Sequence, residues 1–154
     1  MKKFVLIFAL GLVIVPQITY CWTRTYGGEG GDHGYYVEQT PDGGYIISGT
    51  TYKNDSTRNY RYYMWIIKTD SKGDTLWTKV YDDASCGRCI RQTKDGGYIV
   101  LAGYGLELLK IDVAGNIQWT RDFGSSGAYD GAFVQQTRDG GYIVVGGTIY
   151  GPTL

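Results

Sequence analysis

Past residue 21 the apolar positions keep no helical period. They fall into short runs separated by glycine-rich turns, the pattern of many brief strands. One phrase occurs three times: Thr40-Pro41-Asp42-Gly43-Gly44-Tyr45-Ile46, Thr93-Lys94-Asp95-Gly96-Gly97-Tyr98-Ile99 and Thr137-Arg138-Asp139-Gly140-Gly141-Tyr142-Ile143. Asp-Gly between two β-rich runs predicts a chain reversal, because glycine accepts the positive φ of a tight turn and a β-branched residue does not. Asp42, Gly43, Asp95, Gly96, Asp139 and Gly140 are therefore expected to be structural. The strands entering the reversals end in Val37–Thr40, Ile90–Thr93 and Val134–Thr137. Those leaving begin at Tyr45, Tyr98 and Tyr142.

A second hairpin occurs twice. Ile66-Ile67-Lys68-Thr69-Asp70 turns through Ser71-Lys72-Gly73-Asp74 into Thr75-Leu76-Trp77, and Leu108-Leu109-Lys110-Ile111-Asp112 turns through Val113-Ala114-Gly115-Asn116 into Ile117-Gln118-Trp119. An opening Asp that bonds backbone two residues on, with Gly in the left-handed position, is turn chemistry. The stretch lacks the alternating carboxylates and distal Glu of a calcium loop. The segment after each tryptophan also repeats: Trp22–Tyr26, Trp77–Tyr81 and Trp119–Phe123. One unit is thus four strands with a tryptophan on the fourth; Trp22, Trp77 and Trp119 are expected to be structural, and the chain should carry eleven strands. Met64–Ile67 and Leu106–Leu109 are apolar nearly throughout, which requires both faces of the sheet to be covered.

Composition supports this picture: 154 residues with 24 glycines and 15 tyrosines suit strands and tight turns within one domain. The first segment differs. Lys2-Lys3 followed by the apolar run Phe4–Val15 and Pro16 reads as a secretory leader, residues 1–21, with the cleavage site left open. Cys21 stands where a lipoprotein would carry its cysteine, but the bulky Tyr20 departs from lipoprotein processing. The expected location is secreted or cell surface, with membrane contact only through the leader. The formal charge is zero; 15 basic residues less Lys2 and Lys3 leave 13 against 15 acidic, so no nucleic-acid partner is expected.

The Trp-to-Trp spacings of 55 and 42 residues lie in or near the range of propeller blades. The strand-Asp-x-x-Gly-x-x-Trp arrangement resembles the tryptophan-bearing blades of quinoprotein-type propellers. More closely, the whole unit from Trp-Thr-Lys/Arg through Gln-Thr-x-Asp-Gly-Gly-Tyr-Ile to Lys-x-Asp-x-x-Gly-Asp/Asn-x-x-Trp is similar to repeats of large exported bacterial proteins, many ending in a secretion-sorting domain. The resemblance covers essentially everything after residue 21. It implies an all-β, partial β-propeller of four-stranded antiparallel blades in an extracellular setting: residues 22–34 the last strand of a preceding blade plus a loop, 35–81 and 82–123 full blades, and 124–154 a half blade. It implies no quinone chemistry, and no cofactor is expected. The partners it implies are other copies or further blades of a longer propeller.

Variation between the copies collects at one end, in Gly27–Gly34, Asp82–Gly87, Gly124–Gly131 and the insertion Tyr52–Tyr63. Loops on a rigid scaffold are where binding usually lies. The insertion arises because Asp42 to Lys68 is 26 residues while Asp95 to Lys110 is 15. Its Tyr52, Arg58, Tyr60, Arg61 and Tyr62 are the candidate ligand contacts, since flat rings beside hydrogen-bonding groups stack on sugars; a lengthened, solvated loop is the plainer alternative.

Cys86-Gly87-Arg88-Cys89 suggests a local disulfide or two free thiols. His33, Cys86 and Asp130 share one repeat position and are metal-ligand types, but loop variation explains them better and no metal is expected. Gly27–Gly31 has the glycines of a phosphate loop without a following helix, and one histidine with no Gly-x-Ser-x-Gly gives no serine triad. Glu29, Asp32, Asp82, Asp83 and Asp130 leave paired-carboxylate glycoside chemistry open. The expected function is a non-catalytic exported scaffold or binding module for extracellular glycan or protein. The alternatives are an extracellular glycan-active hydrolase or lyase, and a fragment without independent function.

Overall fold

The computed structural model describes residues 22–28, 30–54, 60–84, 86–103, 106–123 and 129–148. The expected leader, Glu29 and Arg58 lie outside the described residues, as do the side chains of Tyr60 and Asp130. Among the described residues there are ten strands and no helix, in three antiparallel sheets. The first holds β1 (His33–Gln39), β2 (Tyr45–Asn54), β3 (Tyr60–Thr69) and β4 (Thr75–Tyr81) in that order. The second holds β5 (Gly87–Gln92), β6 (Tyr98–Ala102), β7 (Glu107–Ile111) and β8 (Ile117–Asp122). The third pairs β9 (Tyr129–Gln136) with β10 (Tyr142–Thr148).

The recurring phrase closes the first hairpin of each sheet. The Gly43 amide donates to the Thr40 carbonyl at 2.8 Å, and Gly43 takes φ 83°, a left-handed value that a side chain resists. The reversal is wider than Asp-Gly alone, running from Thr40 to Gly44, because Asp42 organises it from both sides. Its Oδ1 accepts the Thr40 hydroxyl at 2.5 Å and the Gly44 amide at 2.9 Å. Thr93–Gly97 and Thr137–Gly141 repeat these bonds, the third with a short Thr137-to-Asp139 contact.

Trp22–Tyr26, expected as a strand, is not one: residues 22–28 have no strand pairing. A fourth strand needs a third beside it, and among the described residues none lies there. The Trp22, Arg24 and Tyr26 side chains hold the segment against the β3–β4 turn and Tyr45, and the Gly28 amide donates to Asp32.

Neighbouring sheets stack face to face. Residues of one strand alternate between two interfaces, so Tyr98, Val100 and Ala102 join Ile46, Met64 and Ile66 in a core between the first and second sheets. Ile99, Leu101, Leu108 and Cys89 join Val134 in a core between the second and third. This is why β6 and β7 read as continuous apolar runs. The main backbone approaches between sheets involve a first strand: β1, β2 and β3 against β5, and β5 and β6 against β9. Each first strand carries a bulge at the same place, at Tyr35, Arg88 and Ala132.

Candidate functional site

The DGG turns occupy one end of each sheet, and the variable connections the other. At that variable end β2 and β3 outrun their neighbours. The pairing of β3 with β4 stops at Met64 opposite Tyr81, and that of β1 with β2 at His33 opposite Thr50, but β2 and β3 stay paired out to Asn54 opposite Tyr60. Thr51–Asn54 and Tyr60–Tyr63 thus form a two-stranded arm. Such a ribbon is marginal alone, and the loop before β1 braces it. Asp32 accepts the Thr51 hydroxyl at 2.6 Å on one oxygen and the Gly28 amide at 2.8 Å on the other. Gly30 lies so close to the Tyr52 carbonyl that an added Cβ would stand 2.9 Å from it.

On the arm Tyr52 and Tyr62 face each other across the ladder, their rings edge to face at 5.2 Å. Tyr62 is 47% exposed, and Arg61 beside it is exposed. The candidate contacts Tyr52, Arg61 and Tyr62 are therefore gathered on one projecting ribbon, with the backbone of Tyr60 completing it. Asp32 is unsuited to general acid work: the Thr51 hydroxyl and the Gly28 amide hold its carboxyl below the usual range.

A second cleft at the same end, about 340 Å³, is lined by Tyr81, Asp82, Asp83, Glu107, Leu109 and Thr120. Burial pushes the Glu107 carboxyl up, with Asp122 and Asp83 adding to the shift. Glu107 sits directly opposite Asp122, a like-charge pair that sheets avoid. Sequence reasoning missed Glu107, although an acid opening an apolar strand was the available signal. It also missed Arg91, which pairs with Glu38 at 3.0 Å and stacks over Phe133 at 5.3 Å, tying the first strands of all three sheets together. Glu38, Arg91 and Gln135 share one repeat position, which was the sign.

Cys86 and Cys89 are both buried, free thiols. Cys86 Sγ donates to the Gly103 carbonyl at 3.3 Å, and burial pushes the Cys89 thiol up, away from the nucleophilic form. Among the described residues no three His, Cys, Asp or Glu side chains come together as metal ligands.

The tryptophans govern how one sheet meets the next. Trp22 packs edge on to Tyr45 at 5.7 Å, Trp77 to Tyr98 at 6.2 Å and Trp119 to Tyr142 at 5.7 Å. Trp22 lies over Gly73, with Arg24 paired to Asp74 at 2.9 Å and the Tyr26 hydroxyl donating to the Gly73 carbonyl. Trp77 lies over Gly115 in the same way, with Lys79 on Asn116 and the Tyr81 hydroxyl on the Gly115 carbonyl at 2.7 Å. Trp119, Arg121 and Phe123 instead line an open cleft of about 770 Å³ with Leu106, Leu108, Tyr142 and Val144.

No protein-family model matches this chain, and no curated protein matches it either.

Proposed function

We propose that this chain is an exported, non-catalytic binding module built of β-propeller blades, which presents the β2–β3 arm to extracellular glycan. Three observations support the blade arrangement: first strands converge, outer strands meet the next sheet through Trp–Tyr ring contacts, and the contact set recurs from sheet to sheet. The exposed Tyr62 ring, fixed by Tyr52 on a braced arm, carries the binding reading, while Arg61, the preceding residue of β3, projects from the opposite face of the ribbon. A rigid aromatic face loses little conformational freedom when a sugar ring stacks on it. Glycan-array screening of the full chain is expected to give retention on a restricted set of glycans, lost or weakened about tenfold in Tyr62→Ala. Retention unchanged in that variant would refute the reading.

A second reading, a glycan-active hydrolase, draws on Glu107. A carboxyl whose pKa is pushed up by burial, with Asp122 and Asp83 adding to the shift, has the direction of change that a general acid needs. Reducing-sugar release by the full chain, abolished in Glu107→Gln, would replace the first reading; the first predicts no release from any glycan that the chain retains.

A further inference from the structure

We infer that the cleft between β8 and β10 is a docking surface for a β-hairpin of the repeat's own second type, lying outside residues 1–154 and carrying Lys-x-Asp-x-x-Gly followed by Asp or Asn. Four features of the cleft specify that occupant independently. The first is backbone: β2 and β6 are each paired on both sides, whereas β10 pairs only with β9 among the described residues. The edge of β10 therefore offers unpaired amides and carbonyls to an antiparallel strand.

The second is a carboxylate. Asp42 holds Lys68, and Asp95 holds Lys110, each at 2.9 Å, and each lysine is almost fully buried on the third strand of its sheet. Asp139 has the same turn geometry, with Thr137 and Gly141 on its Oδ1; the Lys94 ammonium lies beside this turn on the Thr137 and Arg138 carbonyls, but no lysine stands at ion-pair distance from Asp139 among the described residues. A strand paired to β10 in the register of β3 on β2 would bring its lysine to Asp139, because Lys68 stands opposite Ile46 and Lys110 opposite Ile99.

The third is a cation. Arg24 meets Asp74 and Lys79 meets Asn116, the residue just after the turn glycine in each case. Arg121 is the equivalent side chain and has no such partner among the described residues. The fourth is shape: Trp22 and Trp77 each cover a turn glycine so closely that an added Cβ would stand 2.7 Å from the ring at Gly73 and 3.1 Å at Gly115. Trp119 lines the cleft with Phe123, which is 58% exposed, and calls for the same glycine. A folded second copy has no such hairpin free, since β3–β4 and β7–β8 are each enclosed in a four-stranded sheet. Residues 149–154 carry no Lys-x-Asp-x-x-Gly sequence.

This surface is separate from the arm, so its test and the glycan test fail independently. A labelled synthetic peptide with the sequence of residues 106–123 carries the strand, Lys110, the Asp112–Asn116 turn and Trp119. Titrated with the full chain in fluorescence anisotropy, it is expected to bind saturably, and about tenfold more weakly to Asp139→Lys or Arg121→Glu. The same peptide with Lys110→Asp is expected to recover binding to Asp139→Lys, a rescue that general stickiness cannot give. Three results would overturn the proposal: no binding by a chain with native circular dichroism, binding insensitive to both substitutions, or a dimer in sedimentation that Arg121→Glu dissociates, which would make a second copy the occupant.

Discussion

Asp42 and Asp95 each serve two strands at once. One carboxylate oxygen closes the turn on Thr and Gly, and the other neutralises a lysine that would otherwise be an uncompensated charge in an apolar sheet. The lysine also donates to the carbonyl of the following residue, at 2.8 Å for Lys68 and 3.1 Å for Lys110, so its burial is satisfied. The threonine hydroxyl first, and the lysine with the glycine amide after it, pull both carboxyls down to about 2. A pKa depressed on folding gives stability that is present above the unfolded value of about 4 and lost as pH falls through 2. The carboxylates are more than half exposed, so solvent screening limits each to about 1 kcal/mol or less. Thermal melts by circular dichroism should therefore hold a constant Tm down to about pH 4 and lose it between there and pH 2, with a shallower acid limb in Asp95→Asn. A decline already complete by pH 5 would point to other groups. The turn role of these aspartates was legible in the sequence because Asp-Gly is a local signal. Their lysines were not, since the pairing is set by the register of a strand far along the chain. A lysine at the same place in two apolar runs was nevertheless a clue, because unpaired lysine is almost never buried.

The β3–β4 and β7–β8 turns are sockets as much as reversals. Gly73 and Gly115 have positive φ, 82° and 78°, and each lies beneath a tryptophan. Gly73→Ala must pay in backbone strain and also displace the Trp22 ring, which an added Cβ would approach to 2.7 Å, so a loss of about 2 kcal/mol is expected in urea unfolding, with the slope m unchanged. Gly96→Ala is the control, with φ 82° but open space around it, and should cost about 1 kcal/mol. Equal losses would show that the ring contact contributes nothing. The sequence showed that these glycines lie in turns, but not that a tryptophan 51 residues before Gly73, or 38 before Gly115, rests on them. Residues 22–28 teach the converse. Trp22, Arg24 and Tyr26 make the contacts of Trp77, Lys79 and Tyr81 without strand pairing, so the repeated pattern reports the side-chain contact, and hydrogen-bonded strand follows only where a neighbour is present.

Across the molecule, three sheets stack through the two faces of each strand, with backbone approach at β1, β5 and β9 and Trp–Tyr ring contacts from β4 and β8 to the next sheet. All-β architecture and antiparallel hairpins were readable from periodicity and turn residues. The central ties were less so: Arg91 on Glu38 and Phe133, and Tyr36 edge on to Phe133 at 6.3 Å, join residues that only the stacking brings together. The arm was readable as an insertion, while Glu107 escaped notice because its environment is made by β8 and the loop after β4. The most direct test of the stacking is the proton spectrum of Gly73 and Gly115 in solution. Held beneath Trp22 and Trp77, their α protons should be shifted upfield by ring currents, Gly73 returning to an ordinary shift only in Trp22→Ala and Gly115 only in Trp77→Ala. Ordinary shifts for both glycines in the unaltered chain would contradict the repeated sheet-to-sheet contact on which the fold and the cleft depend.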